Sequence, residues 1–371
     1  MQAISNSIRL PARPRSFRER SLGLLPGILL TGAIAALATE LCKGAWLQAH
    51  GISALTLAII GGMVVGNTVY PRVAAASAPG VLFSKQILLR AGIILFGLRL
   101  TFQDIGHVGA IGVAIDALVL SSTFMLASWA GTRLFGLNRR SAMLIGAGSS
   151  ICGAAAVMAT EPVVRGTAEE VSIAVATVVA FGTLAIFLYP ALYQLNAQLH
   201  WVRLSPFAYG IFTGSTVHEV AQVVAAGKAV AESAADTAVI TKLVRVMMLA
   251  PFLVLLSAYL SRRSQEDSAA PAVAASWIHV IPWFALGFIA VAGFNSLALL
   301  PRSVVGTAVN FDTLILATAM AALGVSTQFS AIRKAGLKPL GLAALLFGWL
   351  IVGGFAINAT VSALFGRSLG Q

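Results

Sequence analysis

The sequence predicts an all-α polytopic membrane protein of about eleven transmembrane helices, built from inverted repeats with broken helices. Three observations predict it. Of 371 residues, 58% are hydrophobic and only 10% charged, and mostly apolar runs long enough to span a bilayer as helices recur along the whole chain. Basic residues collect in alternate connecting segments. Glycine-interrupted apolar segments come in pairs, a pattern that in transporters marks a binding site near the bilayer midplane.

Taken in order, residues 1–20 carry Arg9, Arg13, Arg15, Arg18 and Arg20 with two prolines and no hydrophobic period, and read as a cytoplasmic basic tail. Residues 21–371 read as a single transmembrane transporter domain. The first apolar run lacks a small-residue cleavage site and Glu40-Leu41-Cys42 is a poor lipoprotein box, so it is expected to be a membrane helix, not a signal peptide. Spans are expected at about 22–42, 52–70, 82–100, 107–130, 141–159, 170–190, 206–227, 237–260, 278–298, 304–325 and 337–363.

With the N-terminus inside, the cytoplasmic segments hold Arg72, Arg133, Arg139, Arg140, Arg203, Arg262, Arg263, Arg333, Lys334 and Lys338, with Lys85 near a helix start. The other side holds Lys43, Arg99, Arg165, Lys228, Arg302 and Arg367. This is the asymmetry of the positive-inside rule, so the net charge of +12 reads as topology and not as a nucleic-acid surface. An odd number of spans leaves the C-terminus outside. Cys42 and Cys152 supply no disulfide or metal framework.

The segment Leu144–Met158 carries Gly146, Gly148, Ser149, Ser150 and Gly153 at its middle. Glycine costs about 1 kcal/mol against alanine inside a helix, and non-helical backbone survives at membrane depth only when buried in protein or lining a cavity. The cluster is either a tightly packed helix whose small residues admit neighbours or a broken helix whose free N–H groups face a ligand. A second copy favours the break: Gly214, Ser215, Thr216 and Val217 align without gaps on Gly148, Ser149, Ser150 and Ile151, and place His218 and Glu219 just past it.

A further echo links Gly97, Phe102, Ile105 and Gly109 to Gly324, Phe329, Ile332 and Gly336. These lie in spans three and ten, an odd offset that implies inverted copies. A weaker pair, Gly66-Asn67 and Gly293-Phe294-Asn295, keeps the same offset. The two Gly–Ser motifs fall in spans five and seven, an even offset that does not fit. A packing helix, an imperfect repeat or a miscount near residues 190–205 would each account for it.

A charge inside a span costs roughly 2.5–3.5 kcal/mol on insertion scales and marks a functional candidate. Arg90 meets a substrate anion or pairs with Asp116. Lys242 and Arg245, three apart on one helical face, line the site or snorkel to the interface. His218 and Glu219, adjacent and about 100° apart on a helix, take different roles: the histidine as hydrogen-bond donor to an oxyanion, the glutamate as counter-charge or proton carrier. Asp312 carries a coupling ion or balances a basic residue.

At these residues the chain resembles the YeiH-type family of bacterial inner-membrane proteins, to which sulfate export is ascribed. Four stretches carry the resemblance: Leu89–Arg99 (Leu-Arg-Ala-Gly-Ile-Ile-Leu-Phe-Gly-Leu-Arg), Gly146–Ala156, Thr213–Val223 and Lys242–Met247. The resemblance implies a transporter akin to cation/proton antiporters and bile-acid symporters, with a scaffold bundle, a core bundle of crossed broken helices, and sulfate or a related sulfur oxyanion as cargo.

The residues themselves point to a secondary transporter of a small inorganic or organic anion. Arg90, Lys242 and Arg245 would supply positive charge, and Gly148, Ser149, Ser150, Gly214, Ser215, Thr216 and His218 would orient the substrate. Asp116, Glu219 and Asp312 would couple a proton or sodium. A monovalent cation/proton antiporter using those acids is the alternative. No metal-ligand spacing or nucleophile elbow appears, so neither enzyme, cofactor nor metal site is expected. Gly23 with Gly27, and Gly62 with Gly66, pack helices within one subunit or between subunits of a homo-oligomer.

Overall fold

The computed structural model describes residues 17–44, 53–264 and 283–365, and among these every regular element is helical. Most of the predicted tail, residues 1–16, lies outside them, as does Arg367, and the helix α1 (Phe17–Leu41) already begins inside the tail's last residues. Next come α2 (Ala54–Thr68) and α3 (Tyr70–Phe83), which runs through a π-helical turn at Ser84–Leu88 into α4 (Leu89–Phe96) and a 3-10 turn at Gly97–Arg99. The predicted third span therefore opens at Tyr70, because Pro71 stands in a first turn, where its missing N–H is harmless. Arg72 and Lys85 consequently belong to one long helix.

The chain continues with α5 (Phe102–Arg133), α6 (Arg139–Ser150), α7 (Ala154–Val164), α8 (Ala168–Leu199), α9 (Pro206–Thr216) and α10 (Val220–Lys228). It ends with α11 (Glu232–Met247), α12 (Leu249–Ser264), α13 (Trp283–Ser296), α14 (Arg302–Ser326), α15 (Phe329–Lys334) and α16 (Leu337–Leu364). Polar caps fix several starts: Thr101 with Asp104 and Thr167 with Glu170 form capping boxes, and Asn138 and Ser205 cap α6 and α9. Among the described residues, seven segments are long and apolar enough to cross a membrane, and α2 and α13 are shorter apolar helices.

The fifth and seventh apolar segments are helical and broken, as expected, but they do not cross. Each folds back on itself. In the first, α6–α7, Asn138 at the entry donates to Glu170 Oε1 beyond the exit at 2.6 Å, and Gly166 lies against Leu144. In the second, α9–α10, Tyr209 Oη donates to Ala226 O at 3.3 Å. The arms, 12 and 11 residues in one hairpin and 11 and 9 in the other, reach about 14–18 Å, roughly half the hydrocarbon core.

The hairpins enter from opposite ends of the molecule. α6 runs antiparallel to α5, with Gly131 facing Ala142 and Gly146 facing Ala127. α9 runs parallel to α11, where Gly210 meets Thr237 and Gly214 meets Thr241. The α11–α12 rod in turn runs parallel to α5, its Phe252 edge-on to Phe124 at 4.8 Å and its Tyr259 under the Arg139 guanidinium. Folding back exchanges two loops: Arg165 joins the end that carries Arg133 and Arg139, and Arg203 leaves it. The basic asymmetry between the ends survives this exchange.

The inverted echo is matched by hydrogen bonds. At one end Asn67 donates to Thr327 O at 2.9 Å and accepts from the Phe329 N–H at 3.1 Å. At the other, Asn295 donates to Leu100 O at 3.1 Å while the Phe102 N–H donates to Ser296 Oγ at 2.8 Å. Gly109 and Gly336 both take positive φ, 43° and 86°, the region that glycine enters without steric cost. Gly109 breaks α5 shortly after its start, and Gly336 turns the chain from the short α15 into the long α16.

The even offset of the Gly–Ser motifs now has a cause. Units α2, α3–α4 and α5 correspond by inversion to α13, α14 and α16. In the first half the hairpin and its long helix, α6–α7 and α8, follow this trio, whereas in the second half α9–α10 and α11–α12 precede it. α6 packs on α8 through Gly148 and Val178, as α9 packs on α11 through Gly214 and Thr241. Two bundles result, one of α1–α4, α13 and α14, the other of α5–α12 and α16. Gly27 packs against α3 at Gly80, and Gly62 and Gly66 against α14, so these glycines join helices within the subunit.

Candidate functional site

The two hairpin tips, Ile151–Gly153 and Val217–Glu219, meet in the interior. Each outer arm ends there with carbonyls that no further helical turn satisfies and with the negative end of its macrodipole. Two cations from α11 cover both. Lys242 Nζ donates to Ile151 O and to Val217 O, each at 2.6 Å, and so ties one tip to the other. Arg245 donates through Nε to Ser150 O at 2.7 Å, through one terminal nitrogen to Ser215 O and through the other to Ser149 O at 3.5 Å.

Both cations are fully buried, so neither snorkels. Their spacing of three along α11 is what lets one helix face serve two tips. Their nearest acid is Asp116 on α5, fully buried, with neither carboxylate oxygen hydrogen-bonded and with Arg245 and Lys242 as its charged neighbours. The positive charge is thus spent on backbone carbonyls, with Asp116 and, for Lys242, also Glu219 as acidic neighbours.

Of the hydroxyls expected to orient a substrate, those of Ser150, Ser215 and Thr216 turn back to their own helices. Ser150 Oγ donates to Ala147 O at 3.4 Å, and Ser215 Oγ and Thr216 Oγ1 donate to Phe212 O. Gly148 and Gly214 face Val178 and Thr241, the packing role weighed for such glycines. His218 is buried with Nδ1 unpartnered, its ring 6.3 Å from that of Phe347.

The inner arms, α7 and α10, present N-termini at the same place, and the carboxyl group of Glu219 already occupies one of them. Glu219 Oε1 accepts from the Ala154 N–H at 3.4 Å, at the N-terminus of α7. A Cβ on Gly153, whose φ is 75°, would stand 2.5 Å from Glu219 Cγ and 2.9 Å from its Oε1. Lys85 of the π-helical turn and Lys242 are its charged neighbours. The Glu219 N–H is held by Gln222 Oε1 at 3.0 Å.

Two of the predicted residues stand elsewhere. Arg90 is exposed on α4 and takes no part in the tip cluster. An arginine in an apolar run reads as central by its distance from the span's ends, but that run starts twelve residues earlier than expected, and its exposed face carries the side chain. Asp312 on α14 pairs at 3.4 Å with Arg99, a residue expected at the outer end of the third span. Arg99 also donates to Thr313 Oγ1 at 2.8 Å and reaches Glu232, itself 3.3 Å from Lys228. This network joins α14 and the Gly97–Arg99 turn of one bundle to the base of α10–α11 in the other.

Sequence reasoning missed Asn358 and Gln222. Asn358 Nδ2 donates to Ser215 Oγ at 3.1 Å from inside α16, and a buried amide in so apolar a helix was the available signal. Among the described residues no group of three or more histidine, cysteine, aspartate or glutamate side chains stands ready to hold a metal.

The family model described as conserved hypothetical protein 698 matches residues 26–343. The chain is 63% identical to the UPF0324 membrane protein PA5383 of Pseudomonas aeruginosa, covering 89% of this chain and 92% of the relative. It is 57% identical to the UPF0324 inner membrane protein YeiH of Salmonella typhi, covering 94% and 98%. Against the inner membrane protein YeiH of Escherichia coli K12 the identity is 55%, covering 92% and 95%.

Proposed function

The chain belongs to the YeiH-type family of inner membrane proteins, and on that premise we propose that it is a secondary transporter of a small anion, of the sulfate or sulfonate kind, working by alternating access. One observation carries the reading. Two inverted hairpins bring their tips together in the interior, where the N-termini of α7 and α10 converge and a carboxylate, Glu219, already sits on one of them. Such termini hold anions through free N–H groups and a dipole worth up to about 2 kcal/mol in partly buried geometry.

Glu219 then stands where the substrate's oxyanion goes. An incoming anion, or a proton, releases the carboxylate, which couples substrate to protons without a separate gate. Lys242 and Arg245 hold the tips together and do not touch the cargo. Movement of one bundle against the other, across the Arg99–Asp312 network, would expose the tips to each side in turn. The arginine-rich end is cytoplasmic, and the N-terminus with it. The protein works without a cofactor or covalent chemistry.

A second reading is favoured by one feature, the buried Asp116 whose two oxygens lack hydrogen bonds: a monovalent cation/proton antiporter would load its ion there. Thermal stability of the purified protein against sulfate, sulfite, a short sulfonate, sodium and lithium separates the two, because a ligand of the folded state raises the melting temperature. Stabilisation by the anions, stronger in Glu219→Gln, supports the anion site. A response to sodium or lithium alone, lost in Asp116→Asn, overturns it.

A further inference from the structure

On the membrane-facing side of the second bundle a groove of about 500 Å3 runs between α5 and α12. Its walls are apolar, with Leu120, Phe124 and Met125 on α5 facing Phe252 and Leu255 on α12 and Met248 just before it. Ser121 and Tyr259 are the polar members of its lining. Tyr259 marks one end, and there the Arg139 guanidinium lies 5.5 Å from the ring centre. Arg133 and Arg140 are exposed on the same turn, and Lys338 reaches Gly136 within it.

The acid nearest this turn, Glu170, is occupied by Asn138, Ser141 and the Thr167 N–H. Glu169 is its exposed neighbour. The basic rim is therefore only partly balanced by protein charge, and it caps a slot whose walls suit a hydrocarbon chain. Basic pockets between membrane helices on the positive side are a known form of lipid headgroup recognition.

We propose that this groove is a binding site for an anionic phospholipid, one acyl chain lying between α5 and α12 and the phosphate held by Arg139 and Arg140. The site is independent of the transport reading. It fixes the spacing between α5, which carries Asp116, and the rod that carries Lys242 and Arg245, so the lipid would brace the interior from outside.

The test is native mass spectrometry of the detergent-purified protein titrated with phosphatidylglycerol or phosphatidylcholine of identical chains. Two variants are compared with the wild type: Ser121→Trp, which fills the groove, and the double change Arg139→Gln with Arg140→Gln. Both arginines stand at a helix N-terminus, where positive charge is unfavourable, so the double variant is expected to fold, and its melting temperature checks this. The wild type should retain phosphatidylglycerol in preference to phosphatidylcholine, and each variant should bind phosphatidylglycerol about tenfold or more weakly. Equal retention of the two lipids, or undiminished phosphatidylglycerol binding in either variant, overturns the proposal. So does a wild-type dimer that Ser121→Trp converts to monomer while lipid retention is unchanged, because the groove would then be covered by a second copy of the chain.

Discussion

Gly153 and Glu219 hold the same place in the two hairpins, and the side chain of one fills the space that the other leaves empty. The repeat is symmetric in backbone and asymmetric in charge. A side chain at position 153 would collide with Glu219 Cγ and would have to adopt a φ of 75°. Gly153→Ala should therefore cost about 1–2 kcal/mol from backbone strain alone and more from the collision. In thermal melts the loss should be partly recovered by adding Glu219→Ala; additive losses would show that the two residues do not share this space.

Lys242 ties the tips by bonding to one carbonyl of each. Lys242→Met should destabilise by about 2–4 kcal/mol, since two buried carbonyls lose a charged donor. Lys242→Arg should not restore the loss, because a planar guanidinium cannot replace a compact ammonium between two carbonyls. Chemical denaturation in detergent measures both, and a wild-type midpoint for Lys242→Met would remove the residue from the tip junction.

The folded-back hairpins predict which loops share a side. In a background free of other cysteines, Arg203→Cys should react with a membrane-impermeant thiol reagent added to intact cells, and Arg165→Cys should not. Eleven crossing helices would give the reverse pattern. The two sites thus report on the hairpins and on the orientation together.

Arg99 and Asp312 have side chains 11% and 1% exposed, whereas Glu232 is 67% exposed. Asp312→Asn should cost roughly 2–4 kcal/mol by leaving a largely buried guanidinium short of its partner. Glu232→Gln should stay within about 1 kcal/mol, as exposed pairs do. A double-mutant cycle with Arg99→Gln should give a coupling for Asp312 that exceeds the one for Glu232.

Asn358 supports Ser215 from α16. Asn358→Leu should lower stability by about 1 kcal/mol, the net worth of a buried hydrogen bond, and Ser215→Ala should remove most of that difference. Melting curves of the two single variants and the double variant decide it.

Much of this molecule was legible in its sequence. Apolar length marked each membrane segment because hydrocarbon accepts only backbone that satisfies itself. The echo between Gly97–Gly109 and Gly324–Gly336 announced an inverted repeat, since the same turn needs the same glycine and aromatic wherever it is built. The paired Gly–Ser segments located the centre, and Lys242, Arg245, Asp116, His218 and Glu219 were all named from their depth in apolar runs.

Tertiary structure alone decided the path and the partners. Hydropathy reports how long a segment is apolar and not whether it crosses or returns, so Gly148 and Gly214 could mark a break without saying that the chain folds back there. Charge and depth identified Lys242 and Arg245, but their partners are carbonyls 25 to 96 residues away, which become neighbours only when the two hairpins meet. Arg90 and Arg99 looked alike as arginines near one apolar run; packing left the first exposed and set the second against Asp312. A sequence specifies which groups cannot stay unpaired in a membrane, and the fold chooses what pairs with them.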